Sequence, residues 1–474
     1  MALGNWAVRE LIGAEFGDAR LTDRLIAFVE AAAAHPEAGI PEACGKAGSK
    51  AAYRFFQNKR VEPDKILAPH AQRTVQRAKE FAVVLAPQDT TTFSFQSHPT
   101  TRGLGYVTTD PDSLGFLMHS VMLVSPEGTP LGVLDEQMWS RDSKDYGKSE
   151  QRRQRKIEDK ESMRWLSGVA AVEKALVDHP CVVVIGDQES DIFELFAAPR
   201  KENVHLLVRA CRSSRRVQHE DRYLENALKN SPPRGQFSLE LPRADDRPSR
   251  TAVLTLRWMT LLVSPPSNQR PRSKHPPQSL QFLLAEEEHP PQGQKRVRWL
   301  LATTLPIENW EDAIRLLSWY TYRWRIERFH YVLKSGCRIE HLQLEVAERL
   351  QCAVACYSIV AMRLMWLTYE SRKHPDRSCD DILATHEWQS LHARVHPQAT
   401  IPREPPNLHD AVRMIAKLGG FLGRKGDGEP GLKTLWRGMR RLEDISIAWQ
   451  LAKQHQDASR TSNPIQCLEH ATCG

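Results

Sequence analysis

The spacing of apolar residues changes several times along the chain, and each change marks a boundary. The first 75 residues carry a helical period. NWAVRELIGAEF has apolar positions three and four apart, Asp18 is placed to cap the next segment, and RLTDRLIAFVEAAAA keeps the pattern. A Pro/Gly break at 35–41 precedes another helical stretch, KAGSKAAYRFFQNKRV. From Phe81 short apolar runs take over. FAVVLAPQDTT predicts a buried strand ending in Asp89, and GFLMHSVMLV with TPLGVLDEQMW predicts a strand hairpin about the SPEG turn. EDKESMRWLSGVAAVEKAL predicts a helix. CVVVIGDQESDIFELF then repeats the first arrangement, a continuous apolar strand ending in Asp187 and leading into a helix, and VHLLVRA is the next strand.

From about Ser231 to Pro306 the period is two. FSLEL, TAVLTLRWMTLLV, LQFLLAEE and VRWLLATT alternate between Pro-rich connectors such as SPPSNQRPRSKHPPQ, which predicts a β insertion. A helical pattern returns at 320–334, YTYRWRIERFHYVLK. From about Ser371 the chain is loop-rich and then helical, with LHDAVRMIAKLGGFL and LWRGMRRLEDISIAWQLA suited to packing on the core or on a second subunit. The predicted architecture is α/β: a ribonuclease-H-like core at 76–370 with a β-strand insertion at about 231–306, a helical N-terminal domain at 1–75 and a helical C-terminal region at 371–474. A chain of 474 residues is long enough for several such domains.

Charge sharpens this only locally. The net +7 and pI near 8.9 are thinly spread, but RRQRK at 152–156, the arginines among Arg209 to Arg216, RPRSK at 270–274 and Arg437, Arg440 and Arg441 form clusters that favour a polyanion. In the N-terminal segment Lys46, Lys50, Arg54, Lys59 and Arg60 interleave with Tyr53, Phe55 and Phe56, a combination that fits DNA backbone and groove contact. The nine cysteines include no C-x-x-C pair, so buried thiols in a reducing compartment are expected rather than zinc or disulfides. The most apolar stretch, Cys352 to Leu367, is short for a bilayer and contains Arg363, and no signal peptide opens the chain. A cytoplasmic protein with no membrane partner is expected.

Three carboxylates carry candidate chemistry. Asp89 and Asp187 each close an apolar strand, and Glu327 shares a helical stripe with Tyr320, Arg323 and Lys334. At roughly 100° per residue those offsets fall within a stripe roughly 40–60° wide. Carboxylates converging from separate elements suit Mg²⁺, which prefers oxygen ligands and keeps waters and phosphate oxygens. Two such ions roughly 3.5–4 Å apart serve an in-line phosphoryl displacement. Glu189 and Asp191 are rival ligands ranked lower, the first lying past the strand end and the second placed to cap a helix.

The spacing Y-x2-R-x3-E-x6-K, filled here by Tyr320, Arg323, Glu327 and Lys334, is the signature of the bacterial cut-and-paste DDE transposases of the insertion-sequence-four family. The chain resembles that family over nearly its whole length. WAVRELIGAEFGDARLTDRL, KAAYRF, QDTT around Asp89, HSVML at 119–123, KESMRWL at 160–166, GDQESDI around Asp187, AEEEHPPQGQKRVRWLLATT and KLGGFL at 417–422 come in the family's order. The resemblance implies that Asp89, Asp187 and Glu327 are the metal-binding catalytic triad, loaded with magnesium or with manganese in its place. It implies that Tyr320, Arg323 and Lys334 hold the DNA strand near the cut. Trp299 matches a tryptophan that stacks on a base flipped out near the transposon terminus, and Arg209 and Trp324 match further strand contacts. Tyr331 departs, standing where a close relative carries lysine. The implied protein binds double-stranded DNA at terminal inverted repeats, cleaves it by way of a hairpin, joins the ends to target DNA, and works as a homodimer assembled on DNA through the C-terminal helices. The competing expectations are a nuclease of the same fold that joins nothing, and a catalytically silent DNA-binding protein.

Overall fold

The computed structural model describes residues 6–461, apart from 99, 109, 111, 143, 145, 147–155, 242–248 and 267–274. The cluster RPRSK, all of RRQRK but Lys156, and Cys467 and Cys473 lie outside the described residues. Helices α1 (Trp6–Leu11), α2 (Ala19–Ala34), α3 (Ile40–Phe56) and α4 (Pro63–Ala78) open the chain, followed by strands β1 (Val84–Ser94), β2 (Gly105–Tyr106), β3 (Leu114–Val124) and β4 (Pro130–Trp139). Helix α5 (Met163–Ala175), β5 (Val182–Gly186), α6 (Phe193–Ala197), β6 (Val204–Arg209) and α7 (Leu224–Asn230) come next. The insertion contributes β7 (Gly235–Leu241), β8 (Arg250–Val263), β9 (Gln278–Glu286) and β10 (Arg298–Thr303). Helices α8 (Trp310–Thr321), α9 (Trp324–Tyr331), α10 (Ala347–Lys373), α11 (Thr385–Val395), α12 (Leu408–Leu418) and α13 (Leu432–Thr461) complete the order.

Two compact units result. One comprises Met1–Pro69, Val332–Leu342 and Cys352–Gly474, so both ends of the chain build it. The other comprises His70–Tyr331 and Gln343–Gln351.

In the first unit α2 buries Leu21, Leu25, Phe28, Val29 and Ala32, one stripe at helical spacing, and Asp18 caps it as expected by accepting from the Arg20 N–H. Phe28 meets Phe56 and Tyr357 edge-to-face at 5.1 and 5.9 Å between centroids, which ties the N-terminal helices to α10. Arg363 of α10 lies over the Trp6 ring, its guanidinium carbon 4.3 Å from the centroid, and burial lowers its pKa to about 10. Helix α10 corrects one expectation: its 27 residues are long and apolar enough to cross a membrane. Because 83% of its most apolar window is buried inside the protein, it is a core helix.

The second unit is built on one sheet. Strands β4, β3 and β1 run antiparallel in that order, and β5 and β6 follow parallel to β1. Two hairpin-linked pairings followed by two parallel strands make this a ribonuclease-H-like core. The insertion lengthens the same sheet, since β10 pairs antiparallel with β6 and β9, β8 and β7 follow outward. Its interior is apolar, with Val84, Val121, Val182, Leu206, Phe282 and Trp165 all buried in one cluster.

Two elements differ from expectation near the chemistry. Strand β1 does not stop at Asp89 but runs to Ser94, because β3 pairs with it as far as Gly115. What stops is its pairing with β5, which ends at Pro87 opposite Ile185. The helix expected at 320–334 is three pieces. Bonds from the Tyr322, Arg323, Arg325 and Ile326 N–H groups reach back only three residues, a tightened 3₁₀ passage that turns more per residue than an α-helix. After α9, Val332–Gly336 form a π-helical turn, which turns less per residue than an α-helix, closed by the Cys337 N–H on the Val332 carbonyl. The helix is therefore interrupted on both sides of α9, although Arg323 still lies over Tyr320 and pairs with Glu327.

The tightened passage is braced by the β3–β4 turn. Arg325 Nε donates to the Gly128 carbonyl at 2.9 Å, and Gly128 has φ of +90° with the Tyr322 ring against it. A Cβ there would lie 2.6 Å from Tyr322 Cε1. Gly128→Ala should therefore cost about 1–3 kcal/mol through backbone strain and displacement of Tyr322, read as a lower midpoint in urea unfolding. An unchanged midpoint would show that this turn braces nothing.

Candidate active site

The register of β1 and β5 explains where the site is. Their pairing is parallel, so both strands end at the same side of the sheet, and Asp187 follows directly after the last residue of β5. Asp89 stands two residues beyond the last β1–β5 pair, on a strand still held by β3. Carboxylates at the ends of adjacent parallel strands face a crevice where no further backbone fills the space.

The Asp89 side chain is 18% exposed. Burial first, then the charges of Asp187 and Glu327, push its carboxyl up to about 7, against the pull of the Thr90 N–H and Arg323. Asp187 caps a single 3₁₀ turn, Gln188–Ser190, accepting from the Glu189 N–H at 2.8 Å. Glu327 comes from the first turn of α9, and its Oε1 lies 2.6 Å from Arg323. The three carboxylates influence one another without closing on a point. Among the described residues, the group of His, Cys, Asp and Glu whose ligand atoms all fall within 4.8 Å is His219, Glu220 and Asp221, on a separate loop.

The two rival carboxylates are occupied. Glu189 Oε2 is 2.6 Å from Arg164. Asp191 is buried; it pairs with Arg215 and accepts from the Cys211 and Arg212 N–H groups, so it anchors the segment after β6 instead of capping a helix. Asp89, Asp187 and Glu327, the last paired with Arg323, offer oxygen donors of the kind a hard divalent cation takes, and a cation would offset part of what raises Asp89.

Beside the carboxylates, five of the expected residues lie close together. Strand β10 runs antiparallel to β6, so its start lies beside the end of β6. Arg209 thereby reaches the Arg298 carbonyl at 3.4 Å, and Trp299 follows on β10. The Trp299 ring sits 6.2 Å from Tyr320, edge-on. Arg323 lies over both Tyr320 and Trp324, at 5.9 and 5.1 Å from their ring centroids. Burial pushes the Tyr320 phenol up, while Arg323 and Arg209 pull it down. Its hydroxyl and Arg323 Nε are both buried without a hydrogen-bond partner among the described residues, which leaves a donor pair open to an added oxygen. Trp324 is 53% exposed, a large apolar surface beside this group, and Tyr331, at the other end of α9, is 43% exposed. Lys334 lies on the π-helical turn Val332–Gly336, which belongs to the other compact unit.

Two residues near the aspartates carried no expectation. His330 places Nδ1 3.7 Å from Asp89 Oδ2 and Nε2 3.2 Å from Ser120 Oγ, and Ser120 is the β3 residue opposite Asp89. Its sequence signal is its position three after Glu327, on the same helical face. Arg164 lies within KESMRWL on α5 and hydrogen-bonds Thr90 and Glu189.

Comparison with known families agrees with this geometry. Residues 4–61 match the Transposase DNA-binding family, 168–362 the Transposase DDE domain and 359–461 the Transposase Tn5 dimerisation domain. The DDE match contains Asp187 and Glu327 but begins after Asp89, which is placed by the sheet alone. Among solved structures, the cryo-EM structure of a piggyBac transposase synaptic complex with hairpin DNA is similar at 8% identity, over 96% of this chain and 78% of that one, with a TM-score of 0.36. The fold and the family matches define a DDE transposase, a DNA-binding enzyme with a dimerisation domain whose catalytic domain implies a divalent metal. The chain belongs to the Tn5-like, insertion-sequence-four family of these enzymes.

The raised Asp89 carboxyl has a measurable sign. Between the ordinary value of 3.8 and about 7, the folded protein holds a proton that the unfolded chain has released, so metal-free stability falls as pH rises through that window. A divalent cation competes with that proton. Manganese should therefore raise the melting temperature more at pH 8 than at pH 6, and Asp89→Asn should remove the difference. Equal shifts at both pH values would mean that the cation acts elsewhere.

Proposed function

We propose that Asp89, Asp187 and Glu327 are the metal ligands of a transposase that binds the terminal inverted repeats of its own element. The enzyme then cuts both strands at each end and joins the freed ends to target DNA. The observation that carries this reading is the placement of Asp89 and Asp187 at adjacent parallel strands, with Asp89 raised by the charges of Asp187 and Glu327. Magnesium, or manganese in its place, supplies two cations that favour the attacking hydroxyl and the leaving oxygen of an in-line displacement.

The chain's own residues hold the strand. Arg323 is tied to Glu327 and reaches toward Tyr320, so a phosphate oxygen taken up by the Arg323 Nε and Tyr320 hydroxyl donors would sit next to the third carboxylate. Arg209 adds a second guanidinium at the end of β6. Trp299 offers an aromatic face for a base unstacked from the terminus, and Trp324 offers another beside Arg323. The family resemblance alone adds Lys334 as a further strand contact. The family resemblance supports a hairpin route: the freed 3′ hydroxyl attacks the opposite strand, water reopens the hairpin, and the regenerated 3′ hydroxyl attacks the target. Each step exchanges one P–O bond for another, so one set of residues serves them all. Two copies paired on the element's ends through the C-terminal helices, working at the bacterial nucleoid, complete the reading.

Asp89→Asn, Asp187→Asn and Glu327→Gln should each abolish Mg²⁺-dependent cleavage of duplexes carrying the terminal repeats while leaving their binding intact. The parent protein, given pre-cut ends and a supercoiled target, should yield joined products. Cleavage without joining would identify a nuclease, and binding without cleavage in Mg²⁺ or Mn²⁺ a silent DNA-binding protein.

For Trp299, replacement by Ala should weaken hairpin formation by the equivalent of about 1–3 kcal/mol, and Phe should recover most of it. Nicking of the first strand should change far less. If Ala and Phe behave alike in a hairpin assay on pre-nicked ends, the ring is packing and not a stacking platform.

A further inference from the structure

Gln88 and Thr90 flank Asp89 and, by the alternation of a strand, face the opposite side of the sheet. On that side a chain of hydrogen bonds runs behind the site. Arg164 Nε donates to Thr90 Oγ1 at 2.8 Å, Thr90 Oγ1 lies 2.9 Å from His119 Nδ1, and His119 Nε2 lies 3.0 Å from Gln88 Oε1. At its other end Arg164 reaches Glu189 Oε2 at 2.6 Å, and a third bond to the Glu161 carbonyl at 2.9 Å fixes the guanidinium.

The direction of the chain follows from what each group can give. A guanidinium only donates, so the Thr90 oxygen accepts from it and turns its single hydrogen to His119 Nδ1. His119 must then carry its proton on Nε2, where Gln88 Oε1 accepts it. Burial first, then the charge of Arg164, holds His119 well below its ordinary pKa, in keeping with a neutral ring. The far end has no slack, since a Cβ on Gly168 of α5 would come 2.4 Å from Gln88 Oε1.

Arg164 is the one member of this chain that reaches both aspartate-bearing segments. Thr90 follows Asp89 directly, and Glu189 supplies the N–H that Asp187 caps. The Arg164 side chain is 12% exposed and its bond to Thr90 is part-buried, while its Glu189 partner reaches solvent. Two carboxylates of like charge tend to spread, whereas a small octahedral cation tolerates little change in their spacing. We propose that Arg164 is a positioning residue that locks the Asp89 and Asp187 segments at one spacing and so sets the affinity of the metal site, touching neither metal nor DNA. This rests on the reading of Asp89 and Asp187 as metal ligands.

The test is Mn²⁺ binding to the full-length protein without DNA, followed by electron paramagnetic resonance at pH 8. Arg164→Met and Glu189→Ala should each weaken binding about 10-fold or more, and the double variant should be no weaker than Arg164→Met alone, because both break one link. Arg164→Lys, which keeps the charge but lacks the fork, should remain weak. Glu189 is 65% exposed, so Glu189→Ala decides the matter if Arg164→Met fails to fold. Binding within twofold of the parent in Arg164→Met overturns the proposal, as does a double variant that loses the sum of both effects. Asp187→Asn separates this from the underlying reading. If it abolishes Mn²⁺ binding while Arg164→Met does not, only the positioning role falls; if it leaves binding intact, the ligand assignment falls as well.

Discussion

A carboxyl held largely out of water within the field of two others is the constraint that the second unit is built to meet. Asp89 sits largely buried within the field of Asp187 and Glu327, and its carboxyl is pushed to about 7 in consequence. Such an arrangement drifts apart or protonates unless the backbone carrying each charge is fixed by something else. Here β3 fixes the Asp89 strand, the β5 terminus and its capped turn fix Asp187, and the tightened passage braced by Gly128 and Tyr322 fixes the start of α9. Arg323 bonded to Glu327 and His330 near Asp89 place positive or protonatable groups between the carboxylates. On the proposed reading, a bound divalent cation would offset that repulsion.

The insertion serves the same site from a distance in sequence. Arg209 ends β6 and Trp299 belongs to the start of β10, and nearly ninety residues of chain separate them. An antiparallel return is what puts a strand's beginning beside its neighbour's end. Strands β7 to β9 therefore do more than widen the sheet. They carry the chain out and back so that Trp299 arrives next to Arg209 and Tyr320.

Much of this was legible in the sequence, and the misses have physical causes. The strand end before Asp187 is legible because β5 is buried on both sides and its apolar run stops where the strand stops. Asp89 was assigned a strand end because the apolar run fades there, yet β1 continues with one partner only, and half-paired strands need not be apolar. The stripe from Tyr320 to Lys334 assumed a constant 100° per residue, which a 3₁₀ passage and a π turn both violate. Neither leaves a composition signal, as no Pro or Gly falls between Tyr320 and Lys334. Arg164 and His330 escaped notice because their partners come from other elements, and spacing within one helix says nothing about those. Glu189 and Asp191 rank below Asp187 from their positions alone, and the structure adds the partners a sequence cannot show, Arg164 and Arg215.

The first unit's assembly from both chain ends has a consequence for synthesis. Helices α1 to α3 find their packing partners in Tyr357 and Arg363, and Arg440 of α13 reaches back to Glu42. None of these partners exists when residue 61 leaves the ribosome. At ribosomal speeds of about 5–20 residues per second, the DNA-binding helices wait on the order of tens of seconds before α10 can cover them. During that interval the nascent enzyme presents Phe28 and Phe56 without their final cover, while the catalytic sheet, whose last strand ends at Thr303, is already synthesised before α10 emerges.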